Sequence, residues 1–366
     1  MENSDANQTT GLVSSTSSQA VMNIVVFGWI LSFGSMLIIS TNLLVAISLV
    51  LLIRRRGIQS WCFVLNLSLA DILVGLAITK LAYDNLRSIH SPVVKNDCLL
   101  RMAFVISPTA ASILTMFLIS LDRYVAIKLP LRYNHLSGKG RTAGALALLW
   151  ALSITVGFLP CMVKQMQKGE YYGICTFFSV IEPKSIIVIF CGAFFPVLCV
   201  FLYFYLDILK IACGHQRQIQ QVCEAASRAS QPSRYWSHVK ALRTVAVLVG
   251  CFTLCWCPFF VVSVVQVLCS TCELYHFLEN HLWLLGLTNS LVNPLVYACW
   301  QKEVQEQICM LFVCIKSKML CLMAPFGTPL GCHTDIPMSS QMPVPSDHLD
   351  MTNLAGGESL AIPSTP

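Results

Sequence analysis

Seven apolar runs, each long enough to cross roughly 30 Å of hydrocarbon as a helix, alternate with short polar segments along the chain. They are Val21 to Ile53, Ser60 to Leu81, Leu99 to Tyr124, Thr142 to Val163, Ser185 to Ile211, Ala241 to Leu268 and Leu274 to Trp300. Backbone in lipid must satisfy its own hydrogen bonds, so runs of this length predict helices. The expected fold is an all-α membrane protein, a seven-transmembrane helix bundle over 21–300. After Tyr297 the pattern changes to a repeat of Val304, Ile308, Leu311, Phe312 and Ile315 at i, i+4, i+7, i+8 and i+11. That spacing predicts a short amphipathic eighth helix over 301–318, lying on the membrane surface. Residues 1–20, rich in Ser, Thr, Asn and Gln, predict a disordered extracellular tail, and 319–366 a disordered cytoplasmic tail.

Basic residues set the orientation. Arg54, Arg55, Arg56, Lys128, Arg132, Lys139, Arg141, Lys210, Arg217, Arg228, Arg234, Lys240, Arg243, Lys302, Lys316 and Lys318 all flank one side. The opposite loops hold Lys80, Arg87, Lys95, Arg101, Lys164, Lys168 and Lys184. The positive-inside rule therefore puts the N-terminus outside a multi-pass plasma-membrane protein. Asn7, in Asn7-Gln8-Thr9, is then a glycosylation acceptor on the correct side, whereas Asn66-Leu67-Ser68 lies inside a span. Composition agrees: the 366 residues are 55% hydrophobic and 11% charged, against about 25% charged for a soluble domain. The net charge of +6 reflects topology rather than a nucleic-acid surface.

Polar groups punctuate the spans: Asn42 in the first, Asp71 in the second, Ser112 and Arg123 in the third, Asn289, Ser290 and Asn293 in the seventh. A mid-span carboxylate facing lipid costs several kcal/mol, about 2.5–3.5 on an insertion scale. Asp71 is therefore expected to face the bundle, where water, a cation such as sodium, or the side chains of Ser112, Asn289, Ser290 and Asn293 meet it. A purely structural hydrogen-bond network is the alternative. The acid, base and aromatic Asp122, Arg123 and Tyr124 sit where the third span meets water.

Catalytic constellations are not visible. The eight histidines show no HExxH spacing, no GxSxG or Walker loop occurs, and His348 between Asp347 and Asp350 falls in the tail. The chain is read as a non-enzyme without a cofactor. A channel or transporter remains the alternative class, but duplicated halves and several midplane charges, its expected marks, are not seen.

Together, several motifs resemble the rhodopsin-like, class A, G-protein-coupled receptors. They are Asn42, LAD ending at Asp71, Cys98 placed 25 residues before Arg123, DRY at Asp122 to Tyr124, Trp150, Pro196, CWCP at Cys255 to Pro258, and NPLVY at Asn293 to Tyr297. The likeness runs from about Met22 to Lys316. Within that family, WCFVLNLSLAD, SILTMFLISLDRYVAIK, LDILKIA and LWLLGLTNSLVNPLVYACWQKEV look most like receptors for lipid amides and lysophospholipids.

The resemblance implies a mechanism. Agonist near the outer ends of the third, fifth, sixth and seventh helices shifts the packing around Trp256, and Pro196, Ile113 and Phe252 relay it. The sixth helix swings at Pro258, whose ring and missing donor weaken the helix there. Arg123 then meets a heterotrimeric G protein, with Asn293, Pro294 and Tyr297 taking part. The stimulatory type, raised cyclic AMP and basal activity are implied too, with arrestin and receptor kinases meeting the tail, where Ser339, Ser340, Ser346, Thr352 and Ser359 are candidate phosphosites by composition and location alone. Four positions depart from the family pattern: Phe204 stands eight residues after Pro196 where a Tyr is usual, His238 replaces an acid that pairs with Arg123 in many relatives, Val304 stands where a Phe is common in the helix after the seventh span, and Pro108 inside the third helix could bend its ligand-facing half.

Aminergic relatives carry an Asp eighteen residues before the DRY arginine, and here that place is Val105. With Met102, Ile106, Thr109, Phe177, Phe178, Trp256, Phe259 and Trp283 it outlines an apolar cavity, while Arg101 and Glu279 at the mouth suit a small polar head. A lipid-like small molecule is the expected agonist, and a class A receptor with a non-lipid ligand the alternative. The resemblance also implies a disulfide between Cys98 and Cys175. Cys269 and Cys272 could close a small ring in the third outer loop; zinc would need two further ligands. Cys309, Cys314 and Cys321 lie beside the inner leaflet as palmitoylation candidates.

Overall fold

In a computed structural model of the chain, the backbone is described for residues 3–56, 60–87, 93–129, 132–133, 138–173, 175–189, 192, 194–204, 206–207, 210, 233–269 and 271–323. Residues 1–314 form one compact unit and 315–366 a second. The long helices are α1 (Asn3–Arg56), α2 (Ser60–Arg87), α3 (Lys95–Lys128), α4 (Lys139–Met162), α5 (Phe195–Phe204), α6 (Ser233–Leu268), α7 (Trp283–Trp300) and α8 (Lys302–Met323).

Among the described residues six helices are long and apolar enough to cross a membrane, and α5 is a shorter apolar one. Of the fifth run, expected as one span, the described helical stretches are Pro183–Ile189 and α5. Gly192 and Phe194 between them make wide i→i+5 turns, a local loosening that fits the missing donor of Pro196. The first helix departs from expectation in the other direction. Its backbone is helical from Asn3, where the sequence predicts a disordered tail. Propagation from an existing helix adds one hydrogen bond per residue fixed and avoids the costly nucleation step. The membrane-crossing part of α1 is Val25–Arg55.

α3 is the central element, touching α2, α4 and α6, while α7 packs on α6, α1 and α2. Close approach depends on small residues, as expected where apolar lipid supplies no drive for helices to associate. A Cβ on Gly157 of α4 would lie 2.0 Å from Ser107 Oγ and 2.8 Å from the Ser107 backbone nitrogen of α3, so only glycine fits that crossing. Ser107 is buried and turns its hydroxyl back to the Ala103 carbonyl at 2.8 Å.

The outer face is stapled twice. Cys98 at the start of α3 is bonded to Cys175, and Cys269 to Cys272. The first bridge ties the second outer loop to α3, helped by Lys95 Nζ donating to the Lys168 carbonyl at 2.7 Å. At the inner end of the first unit, α8 buries Val304 and Gln307, and Phe312, expected on the same apolar face as Val304, is exposed. Asn7, His238 and Cys321 lie outside the residues whose side chains are described.

Candidate functional site

The polar groups of the spans converge at mid-depth. Asp71 is wholly buried. Its Oδ1 accepts from Ser112 Oγ of α3 at 3.0 Å and from Ser290 Oγ of α7 at 2.8 Å, and its Oδ2 accepts from Asn293 Nδ2 at 2.8 Å. One carboxylate thus joins three helices. Asn42 of α1 adds a fourth, with Nδ2 donating to the Ser290 carbonyl at 2.9 Å. Asn289 is buried but makes no recorded bond to Asp71. Among the described residues its Oδ1, with Oδ1 of Asn42 and Asn293 and the hydroxyl of Tyr297, is buried without a hydrogen-bond partner. Three orphaned acceptors and a carboxylate in a buried site suit a small cation or water, each of which they could help to ligate. Beside this group Trp150 Nε1 donates to Asn66 Oδ1 at 2.9 Å, and Asn66 Nδ2 to Thr115 Oγ1 at 2.8 Å.

Above the polar layer lies an aromatic one. Trp256 meets Phe259 edge-on at 6.0 Å and Phe260 at 5.8 Å, between ring centroids. Its floor is Gly286 of α7, where a Cβ would stand 2.6 Å from Trp256 Cζ3. Phe260 stacks on Phe194 at 3.6 Å, and Phe194 and Phe201 reach Phe252 at 5.9 and 5.7 Å. Phe252 is buried and Ile113 partly buried. Pro196 is exposed, and Phe194, just before α5, and Phe201 on it, which the sequence does not single out, make the ring contacts with α6.

Of the residues expected to line the outer cavity, Met102, Val105, Phe178, Trp256 and Phe259 are buried, with Ile106, Phe177 and Trp283 packed against that core. Phe178 joins Phe259 at 6.2 Å and Tyr275 at 5.6 Å. Thr109 hydrogen-bonds the Val105 carbonyl of its own helix at 2.8 Å, which leaves the lining apolar. At the rim Arg101 Nε pairs with Asp84 at 3.2 Å, and Lys80 takes the other oxygen at 3.0 Å. Arg101 is therefore partly committed before any ligand arrives. Lys80 and Asp84 stand four apart on one helix face, a signal present in the sequence but unused. Glu279 is half-buried.

At the inner end Arg123 lies 3.3 Å from Asp122, whose other oxygen accepts from Tyr133 at 3.0 Å. Tyr124 donates to Asp207 at 2.9 Å, and Lys128 is ion-paired to the same oxygen. The hydrogen bond to Asp207, with that to Tyr124, raises the Lys128 ammonium above its ordinary value. Phe204 stacks on the Tyr124 ring at 4.6 Å. Pro258 and Pro294 lie inside α6 and α7, where each removes a backbone donor.

Residues 41–297 match the sequence profile of the 7 transmembrane receptor (rhodopsin family). The human glucose-dependent insulinotropic receptor is 46% identical over 317 residues, covering 86% of this chain and 94% of the relative. The rat receptor of that name is 47% identical over 285 residues, 77% of this chain and 61% of its own length. The dog adenosine receptor A2a is 30% identical over 67% of this chain and 62% of the relative. With the family match, the apolar spans place a multi-pass protein in the plasma membrane, as a receptor rather than an enzyme. The chain belongs to the rhodopsin family of seven-transmembrane, G-protein-coupled receptors.

Proposed function

We propose that this receptor takes a lipid-like agonist, with a long apolar chain and a small polar head, and activates a heterotrimeric G protein of the stimulatory type, raising cyclic AMP. The observation that carries this reading is Val105, buried on α3 where an amine-binding acid stands in aminergic relatives, among Met102, Phe178, Trp256 and Phe259. An apolar lining of this kind has no counter-charge for a cationic head and gains affinity by removing hydrocarbon from water. The rim residues Arg101 and Glu279, with Asp84 beside them, offer donors and acceptors to a head group.

Signal transfer follows from differential affinity: an agonist that fits one packing of Trp256 better than the other shifts the population toward it. Trp256 meets Phe260, which meets Phe194, which meets Phe252, so a displaced indole is felt at the α5–α6 contact. The Asp71 group suits sodium as a modulator, with Asp71, Ser112, Ser290, Asn289 and Asn293 as its surroundings. The relative's name supports the reading only through the 46% identity. Tail contacts with arrestin and receptor kinases, glycosylation at Asn7 and ligand-free activity through His238 belong to the same proposal. Cyclic AMP measured in transfected cells across a lipid panel, in lipid-stripped serum, tests it; stimulation by biogenic amines alone would overturn it.

A further inference from the structure

We propose that Asp207 is the acceptor of a latch that holds the foot of the fifth helix against α3 through Tyr124 and Lys128, and that the latch restrains ligand-free coupling. The proposal rests on the coupling function given above. Tyr124 and Lys128 are four apart on α3 and so share a face; Phe204 and Asp207 are three apart on the facing chain. The contacts converge. Tyr124 OH donates to Asp207 Oδ2 at 2.9 Å, Lys128 Nζ pairs with the same oxygen, Phe204 lies nearly parallel to the Tyr124 ring at 21°, and Lys128 Nζ sits 5.4 Å from that ring's centroid.

Tyr124 directly follows Arg123, so whatever fixes the tyrosine fixes the turn that presents the arginine. In this packing Arg123 is ion-paired with Asp122 at 3.3 Å. A contact made in one packing and broken in another favours the first. The latch thus acts on the packing in which Arg123 is paired with Asp122. Phe204 also lacks the hydroxyl usual at its position, and Asp207 is the polar group that the fifth helix presents to Tyr124 instead. Asp207 is a positioning residue, acting on Arg123 through Tyr124.

The test uses full-length receptor in lipid nanodiscs, with Asp207→Asn, Lys128→Met, Tyr124→Phe and the charge-reversed pair Lys128→Asp with Asp207→Lys. Two quantities are read: backbone hydrogen exchange over 124–128 and 204–207, and ligand-free nucleotide exchange on a panel of heterotrimers per active receptor. Each single variant should speed hydrogen exchange and raise ligand-free nucleotide exchange roughly two- to fivefold, the range of a surface ion pair, and the reversed pair should restore both. Unchanged hydrogen exchange overturns the latch whatever the coupling. Faster hydrogen exchange with unchanged or reduced nucleotide exchange overturns its restraining role, as does a reversed pair that matches Asp207→Asn. A parent inert toward every heterotrimer fails the coupling function and the restraining role alike, while hydrogen exchange still decides whether the two helices are latched.

Discussion

Asn293 Nδ2 donates to Asp71 Oδ2 over 2.8 Å, which ties the middle of α2 to the residue just before the proline inside α7. That contact, with those from Ser112 and Ser290, uses both carboxylate oxygens and leaves the Asn289 and Asn293 acceptors unpartnered. On the proposed sodium reading, a cation held there would favour the packing in which Arg123 is paired with Asp122 over the one that agonist favours. Agonist affinity of the parent should therefore be several-fold lower in sodium than in potassium medium. Asp71→Asn removes the charge, so its agonist affinity should be equal in both. A sodium effect that survives the substitution, or a parent that shows none, contradicts the assignment.

Trp256 rests directly on Gly286. A methyl group there would stand 2.6–2.9 Å from three indole carbons, and the ring is hemmed by Phe259 and Phe260. Overpacking of this kind costs about 1–3 kcal/mol. Gly286→Ala should lower the melting temperature of the purified receptor, and the same change in a Trp256→Phe background should be nearly neutral, because the clashing carbons are gone. Equal losses in the two backgrounds would mean that the indole does not limit the space.

Val105 offers a test of the proposed lipid ligand. An unpaired buried carboxylate costs several kcal/mol, and 1.4 kcal/mol is a tenfold change in affinity. Val105→Asp should lower the potency of a long-chain lipid agonist more than tenfold, whereas Val105→Ile should keep it within a few-fold at matched surface expression. Equal potency of the Asp variant would place the acyl chain elsewhere.

Much of this was legible in the sequence because lipid imposes two strong rules. Length of apolar run marks a spanning helix, and a lone carboxylate within one must find partners, which is why Asp71 points to Ser112 and Asn293 before any coordinates. The same reasoning names Asn289, yet Ser290 and Asn293 make the recorded bonds; adjacent positions on a helix differ by about 100°, and periodicity alone does not fix that phase. The wide turns at Gly192 and Phe194 were hidden, since apolar composition is the same whether the helix is regular or widened. Asp207 and Asp84 went unnoticed for another reason: acids near span ends are ordinary, and only the facing helix supplies the tyrosine, lysine or arginine that gives them a role. Gly286 likewise reads as a neutral helix residue until the indole above it is placed.

Nucleotide exchange by the purified receptor separates ligand-free, lipid-driven and amine-driven coupling. The parent and His238→Glu, each in nanodiscs with the stimulatory heterotrimer, are assayed without ligand and with lipid amides, lysophospholipids and biogenic amines in turn. The account predicts exchange above receptor-free discs without ligand, a lower ligand-free rate in His238→Glu, where an acid is restored to pair with Arg123, and a further increase with at least one long-chain lipid and none of the amines. Exchange at the receptor-free level with every lipid, or stimulation confined to amines, would contradict it.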